Sequence, residues 1–275
     1  MRHKKPFDIF LSIVTYGAAA IAVSVLAFLV GYVVINGVPN LRLSLFSLEY
    51  TSDNVSVIPA LITTLQMTVL SLLIAVPLGV FTAIYLAEYA SRKNKLVGII
   101  RITTETLSGI PSIVYGLFGM LFFVTALGWG FSLIAGAFTL SIMILPLIMR
   151  TTEEALKSVP DSFREGSFGL GAGRLRTVFK IVLPSAFPGI LSGVILGIGR
   201  IVGETAALIY TAGTVAQTPS ALTDSARTLA VHMYALSSEG LHTDAAFATA
   251  LILLAMVVGI NAMASYTAKR LAKGA

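Results

Sequence analysis

The chain has 275 residues, of which 56% are hydrophobic and only 12% are charged, against about 25% charged residues in ordinary soluble domains. This proportion of apolar residues excludes a water-soluble globular fold and an intrinsically disordered chain, and the absence of cysteine excludes disulfides and thiolate metal sites. The net charge of +6 does not indicate nucleic-acid binding, because no basic run is interleaved with aromatic residues.

Six segments are long and apolar enough to cross a membrane as helices, for which about 20 residues suffice. They cover residues 9–35, 59–87, 96–127, 132–149, 185–210 and 244–268. The first segment is longer than the apolar core of a signal peptide, which has about 7–15 residues, so we expect it to be retained. The sequence therefore predicts an all-α protein, a polytopic bundle with six transmembrane helices.

Basic residues indicate how these helices are oriented in the membrane. Most of the 19 lysines and arginines precede the first helix, follow the last helix or lie in the 91–95 and 151–184 loops, whereas the opposite loops hold only Arg42 and Arg227. Loops rich in lysine and arginine are retained in the cytoplasm. We therefore expect a multi-pass protein of the plasma membrane with both termini in the cytoplasm.

The predicted domain organisation follows from these spans. Residues 1–58 form an N-terminal transmembrane helix and a first extracytoplasmic loop. Residues 59–268 form a core of five transmembrane helices, and residues 269–275 form a cytoplasmic tail. The core includes a long cytoplasmic loop at residues 152–184.

This cytoplasmic loop carries the signals of two short helices joined by a tight turn. Asp161 can cap the start of the first helix, and Gly171 can end it with a left-handed residue. Apolar residues then return at helical spacing from Leu175 to Val182, before Pro184 marks the entry into the fifth span. A projecting knob of this kind, with a mixed apolar and charged face, suits a groove on a soluble partner.

The loop resembles the EAA loop of the membrane subunits of ATP-binding-cassette (ABC) importers, whose pattern is Glu-Ala-Ala, three residues, Gly, nine residues and Ile-x-Leu-Pro. The positions that match in type and spacing are Glu165, Gly171, Ile181, Leu183 and Pro184. Gly166 and Ser167 stand where the family has its two alanines. The resemblance implies a MetI-like ABC permease core in a bacterial plasma membrane, whose loop docks into a separate dimer of ATPase subunits.

The sequence provides no nucleotide site or catalytic chemistry of its own. The glycine-rich run at 169–174 lacks the Gly-Lys-Ser/Thr ending that holds phosphates, and no strand precedes it. No Ser-His-Asp set or carboxylate dyad is visible at membrane depth. We therefore expect a transport subunit without a cofactor, and the resemblance implies that ATP and magnesium are bound by the partner ATPase.

Charged residues occur inside the predicted spans. Inserting each of them into the membrane costs at least ~2.5 kcal/mol of free energy, so each is expected to have a function or a partner. Arg200 lies near the middle of the fifth span with Glu204 one turn further on. A guanidinium at this depth can hold an oxyanion transiently, or it can form a structural ion pair with the glutamate. Both possibilities remain open from the sequence.

Further charges lie closer to the cytoplasmic side. Arg101 and Glu105 repeat the same spacing early in the third span, and Arg150 ends the fourth span. Both arginines are candidates for the substrate pathway, as is Glu105, the expected partner of Arg101. Both arginines can alternatively extend to the membrane surface. The Ser-Gly-Ile-Pro-Ser run at 108–112 is expected to kink or unwind the third helix.

Two stretches, at 105–116 and 199–206, resemble the third and fifth spans of the phosphate-importer permeases of the PstA type. The resemblance implies translocation of inorganic phosphate by alternating access. It also implies a second homologous permease of the PstC type and an extracytoplasmic phosphate-binding protein. Finally, the resemblance implies that Arg150, Arg200 and Glu204 have functional roles.

Three other interpretations remain open from the sequence. An importer of the same ABC class can carry another oxyanion, such as molybdate or sulfate, with its permease as a homodimer. A secondary transporter would show inverted repeats and no dependence on an ATPase. A structural or regulatory membrane subunit would use its buried charges only to hold its partners.

Overall fold

The computed structural model describes residues 6–51, 53–91 and 94–273. Within these ranges the chain consists of helices, turns and irregular segments without a β-strand, so the predicted all-α class is confirmed. Some basic residues that contribute to the predicted orientation lie outside the described ranges, namely Arg2, Lys4, Lys5, Arg92 and Lys93.

Eleven α-helices follow one another along the described part of the chain. They are α1 (Pro6–Gly37), α2 (Ile58–Ile84), α3 (Lys95–Ser108), α4 (Ser112–Gly119), α5 (Leu133–Lys157), α6 (Asp161–Gly169), α7 (Arg174–Thr177), α8 (Leu183–Val202), α9 (Ala206–Ile209), α10 (Leu229–Glu239) and α11 (Thr243–Lys273). Wider π turns follow α2 and α4 and join α7 to α8, at Tyr85–Tyr89, Met120–Ala126 and Val178–Val182. Short 3-10 turns, Val38–Asn40 and Leu43–Phe46, follow α1.

Five helical segments are individually long and apolar enough to span a membrane: α1, α2 with its π turn, α5, α7 with α8, and α11. A sixth span is obtained when α3 and α4 are counted together, although they meet at an angle of 105°. The break lies at residues 109–111, where the sequence predicts a kink. Pro111 has no N–H group and disfavours helical backbone at the residue before it, so one straight helix cannot form here.

The fifth span ends earlier than predicted. The apolar composition predicts a helix up to residue 210, but α8 stops at Val202 and the chain bends before the one-turn helix α9. The segment after α9 folds against the start of α5, where the carbonyl of Thr211 accepts a hydrogen bond from the N–H of Ser132 at 3.0 Å. The carbonyl of Asp224 accepts another from Leu133 at 2.9 Å. These bonds satisfy backbone N–H groups that the start of α5 leaves without partners. They form because the chain after α9 turns back towards the start of α5.

Helices α2, α5 and α8 pack together at the centre of the bundle. A stripe of small residues on α8, Gly189, Gly193 and Gly197, lies at this contact. A methyl group on Gly193 would lie 2.7 Å from the Cβ of Thr151 on α5, and one on Gly197 would lie 3.9 Å from Ile148. Glycine at position 193 therefore sets how closely the two helices approach.

The bundle has two ends, which we name after the short helices that they carry. The α6 end holds α6, α7 and the C-terminal ends of α2 and α5, and the sequence predicts that it faces the cytoplasm. The α10 end holds α10, the 3-10 turns and the first turns of α2 and α5. Helix α1 packs chiefly on α11 and is exposed along most of its length.

Candidate functional site

The loop at the α6 end has the helix–turn–helix form that the sequence predicts. Two backbone hydrogen bonds close the end of α6, from the N–H of Gly171 to the carbonyl of Phe168 (2.9 Å) and from the N–H of Ala172 to the carbonyl of Ser167 (3.1 Å). Gly171 adopts a left-handed backbone with a φ of 81°, which this type of helix end requires. The predicted role of Gly171 in the turn is therefore confirmed.

The second arm of the loop runs from α7 through a π turn into α8. The turn contains Ile181 and ends just before Leu183 and Pro184. Because Pro184 has no N–H to donate to the carbonyl four residues earlier, a regular α-helix would leave that carbonyl without its bond. The wider turn accommodates the proline. Val178 and Val182 on this arm are buried in the cluster that also includes the end of α5.

The outer surface of the loop exposes large apolar side chains. Their exposed fractions range from 47% to 91%, for Phe163, Phe168, Leu170 and Leu175. Glu165 is also exposed, and Gly166 faces open space. The loop therefore presents a mixed apolar and charged surface away from the bundle, as expected for a docking knob.

Arg164 attaches α6 to the bundle. Its guanidinium forms a short ion pair with Glu88 at the end of the second span, with an Nη2–Oε1 distance of 2.7 Å. It also contacts the carboxylate of Asp161 at 3.2 Å. The prediction that Asp161 caps α6 is wrong, because the helix begins at Asp161 itself and its carboxylate lies on Arg164.

Two broken spans meet near the middle of the bundle. Helices α4 and α9 each begin directly after a break, and they pack against each other. A methyl group on Gly116 would lie 2.8 Å from the Cα of Ala207, so glycine permits this close approach. Across the first break, the hydroxyl of Tyr115 donates to the carbonyl of Leu107 at 2.7 Å. This bond satisfies one of the backbone groups that the break leaves free.

Arg200 lies at this junction, partly buried in the last turn of α8 and within electrostatic range of the Tyr115 hydroxyl. The ion pair between Arg200 and Glu204, one of the two possibilities that the sequence leaves open, does not form in the structure. Because α8 ends at Val202, Glu204 does not continue the helical face that carries Arg200. Glu204 is buried and accepts a hydrogen bond from the N–H of Ala207 at 3.1 Å, which caps α9. Among the described residues, no carboxylate forms an ion pair with Arg200.

A charged pocket of about 230 Å³ lies between α3 and the end of α5. Its charged lining residues are Arg101, Glu105, Arg150, Glu153, Glu154 and Lys157. Glu153 accepts from Arg101 at 2.6 Å and from Lys157 at 2.7 Å, and Arg150 pairs with Glu154 at 3.0 Å. The prediction that Arg101 pairs with Glu105 is wrong, because α5 offers Glu153 to the same guanidinium. Glu105 lies within electrostatic range of Arg150 instead.

Helix α3 lines the charged pocket and ends at the break beside the junction, and both places contain arginine. Guanidinium groups match the geometry of oxyanions, and the carboxylates of the pocket offset its positive charge. A second, larger groove of about 690 Å³ is lined mainly by apolar groups, among them Ile113, Ile209 and Phe247, so it does not suit an anion. Within the described chain, no three His, Asp or Glu side chains are placed to hold a metal ion.

Comparison with known proteins decides the class of this molecule. Residues 75–273 match the family model of the binding-protein-dependent transport system inner membrane component. The chain belongs to this family. The permease is thus a multi-pass transport subunit of an ABC importer of the MetI type, and a separate subunit hydrolyses ATP.

Relatives of the permease carry both general and specific names. It is 38% identical over 247 residues to the probable ABC transporter permease protein YqgI of Bacillus subtilis, with 82% of each chain covered. It is 44% identical over 167 residues to the phosphate transport system permease protein PstA 2 of Mycobacterium tuberculosis, covering 60% of this chain and 55% of that relative. It is 40% identical over 183 residues to the PstA protein of Pasteurella multocida, covering 64% and 63%.

Solved structures share the fold of the permease. An inward-facing MetNI methionine ABC transporter matches with a TM-score of 0.62 at 20% identity, covering 78% of this chain and 94% of that chain. A bacterial alginate ABC transporter, in complex with an alginate-pentasaccharide-bound periplasmic protein, matches with a TM-score of 0.65 at 18% identity. That match covers 96% of both chains.

Several charged residues of the permease were not predicted as site residues: Glu88, Glu153, Glu154, Lys157 and Arg164. The helical i,i+4 rule, applied to α5, would have indicated the pairs Arg150–Glu154 and Glu153–Lys157. No local signal links Glu88 to Arg164, because they are 76 residues apart in the sequence.

Proposed function

We propose that this permease translocates inorganic phosphate across the bacterial plasma membrane. The observation that carries the proposal is Arg200, a partly buried guanidinium that no described carboxylate neutralises, at the junction of two broken spans. An arginine inside a membrane bundle marks an ion or substrate pathway unless it is paired. The names of the PstA relatives, at 40% identity or more over parts of the chain, support phosphate as the anion.

The charged pocket at the end of α5 extends this pathway towards the α6 end. Arg150 and Arg101 supply further guanidinium donors there, with Glu105 beside them. Arg101 and Arg150 are each already paired with a glutamate, so an anion passing the pocket competes with that carboxylate and is released again. A transport pathway needs binding that is strong enough for the anion to enter and weak enough for it to leave.

Coupling to ATP is assigned to the loop at the α6 end. The exposed surface around Glu165, Gly166 and Ser167, held in shape by the Gly171 turn, is proposed to dock into the ATPase dimer in the cytoplasm. Ile181, Leu183 and Pro184 connect this surface directly to α8. Closure of the ATPases would then move α8 and its neighbours and alternate the access of the pathway.

Further partners complete the proposed machine. The α10 end receives phosphate from an extracytoplasmic binding protein, and a second permease of the PstC type covers the exposed faces of α3 and α4. Both termini then lie in the cytoplasm. ATP and magnesium are bound by the ATPase, and this chain needs no cofactor.

Transport by the purified complex tests this proposal. The permease, its partner permease, the ATPase and the binding protein are reconstituted into liposomes with ATP, and uptake of radiolabelled phosphate, sulfate and molybdate is compared. We expect ATP-dependent uptake of phosphate alone. Uptake of molybdate or sulfate without phosphate would assign the permease to another oxyanion, and uptake of none of them would contradict an oxyanion substrate.

A further inference from the structure

The contacts of Arg164 join three separate parts of the fold. Its Nη2 donates to Glu88 Oε1 at 2.7 Å and to the carbonyl of Leu156 at 2.9 Å. Its Nη1 donates to the carbonyl of Val159 at 2.8 Å, and its Nε lies 3.2 Å and 3.3 Å from the two Glu88 oxygens. One side chain of α6 is therefore bonded to the end of the second span and to the last turn of α5 with the residues after it.

This arrangement is more rigid than a surface ion pair. The side chains of Glu88 and Arg164 are only 8% and 17% exposed, whereas exposed pairs fluctuate and contribute little. The guanidinium is a planar fork, so several simultaneous bonds fix its position and its orientation. The carbonyls at the C-terminal end of α5 also favour a cation at this place.

The position of Glu88 depends on a departure from regular helix. Glu88 lies in the π turn Tyr85–Tyr89 that ends the second span, where the N–H of Ala90 donates to the carbonyl of Tyr85 at 2.8 Å. A π turn changes the direction in which the following side chains leave the helix, and such turns occur frequently at functional sites. Here the turn brings a buried carboxylate to the base of α6.

We propose that Glu88 and Arg164 are positioning residues that make α6, the end of the second span and the end of α5 move as one body. Movement imposed on α6 then reaches two membrane helices directly, in addition to the covalent path through α7 and α8. The inference rests on the proposed function in one respect, namely that α6 is the contact with the ATPase.

The absence of cysteine from the chain allows a direct test by spin labelling. Labels are attached at Ser162→Cys on α6 and Phe81→Cys on the exposed face of α2, in the complete importer. Their distance is measured in the nucleotide-free state and in the vanadate-trapped ATP state. We expect one narrow distance distribution in both states for the otherwise unchanged permease, and a broader or state-dependent distribution for Glu88→Gln.

Transport supplies the functional readout. In Glu88→Gln, and in Arg164→Lys, which keeps the charge but loses the fork, we expect phosphate uptake per ATP hydrolysed to fall about tenfold, a coupling change of ordinary size. The ATPase should still co-purify and hydrolyse ATP. Asp161→Asn is the matched control, because it removes the exposed carboxylate from the same guanidinium, and it should keep the uptake per ATP.

The possible results separate this inference from the proposed function. A label distance that changes between the two states in the unchanged permease would overturn the inference, as would unchanged distances and uptake per ATP in both variants. Loss of ATPase co-purification would overturn it too, because the pair would then only maintain the docking surface. If the unchanged importer takes up no phosphate, the proposed substrate fails, while the label distances still decide whether the pair joins these elements.

Discussion

The side-chain hydroxyl oxygens of Ser167 and Thr177 lie 2.8 Å apart and join α6 to α7 across the Gly171 turn. Thr177 is buried and donates its own hydroxyl hydrogen to the carbonyl of Gly173 at 3.2 Å, so Ser167 is the donor in the pair. Alanine, which the EAA pattern has at this position, could not form the bond. The serine therefore adds a polar link to a turn that otherwise depends on backbone geometry.

The turn itself provides the first prediction, for Gly171→Val. A residue with a side chain in the left-handed conformation costs roughly 1–2 kcal/mol, and a β-branched residue is the least suited to it. We expect the two arms of the loop to lose their alignment and the association with the ATPase to weaken by about 5–30-fold. Co-purification and titration of the ATPase measure this loss.

Gly173→Val is the matched control for this experiment. Gly173 lies two residues further on in the same loop, has an ordinary φ of −74° and faces open space. We expect it to bind the ATPase as the unchanged permease does. Equal binding by Gly171→Val would show that the turn does not position the docking surface.

A second prediction concerns Arg200→Gln. The change removes the unpaired guanidinium from the junction of the broken spans but keeps a shorter, neutral side chain that can still form hydrogen bonds. Because no described carboxylate pairs with Arg200, its loss leaves no described acid without a partner, so we expect the complex to assemble normally. Phosphate uptake should be abolished, as measured in proteoliposomes.

The control for Arg200→Gln is Arg42→Gln, which removes one exposed positive charge at the α10 end. It should retain uptake, because Arg42 lies neither at the junction of the broken spans nor in the charged pocket. Normal uptake by Arg200→Gln would remove this residue from the pathway, and failure of the complex to assemble would favour the structural interpretation of the buried charge.

A third prediction concerns the contact between α5 and α8, through Gly193→Val. The added side chain would overlap Thr151, whose hydroxyl is held by the carbonyl of Leu147 at 2.9 Å. Overpacking of this kind costs typically about 1–3 kcal/mol, so we expect a lower yield of folded permease and an earlier thermal transition. Gly199→Ala on the same helix meets open space and should fold normally.

Sequence reasoning succeeded where local chemistry decides the structure. The break at residues 109–111 follows from Pro111. The left-handed backbone at Gly171 was predictable because a residue with a side chain is strained in that conformation. It failed where partners come from distant segments. The end of α8 at Val202 depends on how the following loop caps α5. Arg101 forms its ion pair with Glu153 on a neighbouring helix and not with Glu105 on its own helix. Spacing within one helix cannot reveal such competition, because the rival partner is set by tertiary packing.

The last prediction concerns pH and the buried His232 on α10, outside the candidate spans. Burial, and secondarily the positive charge of Arg227, lower the pKa of His232 to about 3. Arg227 stacks over the ring of Tyr50 at 4.8 Å, and that ring lies 5.9 Å from the imidazole. The folded permease therefore holds this histidine neutral at pH values where an unfolded chain protonates it.

Because the pKa is lower in the folded state than in the unfolded state, the unfolded chain binds the extra proton between about pH 6.5 and pH 3. Stability is consequently highest above pH 6.5 and falls as the pH is lowered through this window, by about 1.4 kcal/mol at pH 5.5. In His232→Gln this contribution is absent. The fall in the thermal midpoint between pH 7.5 and pH 5.5 should then be smaller in the variant than in the unchanged permease, and an equal fall would show that other groups cause the pH dependence.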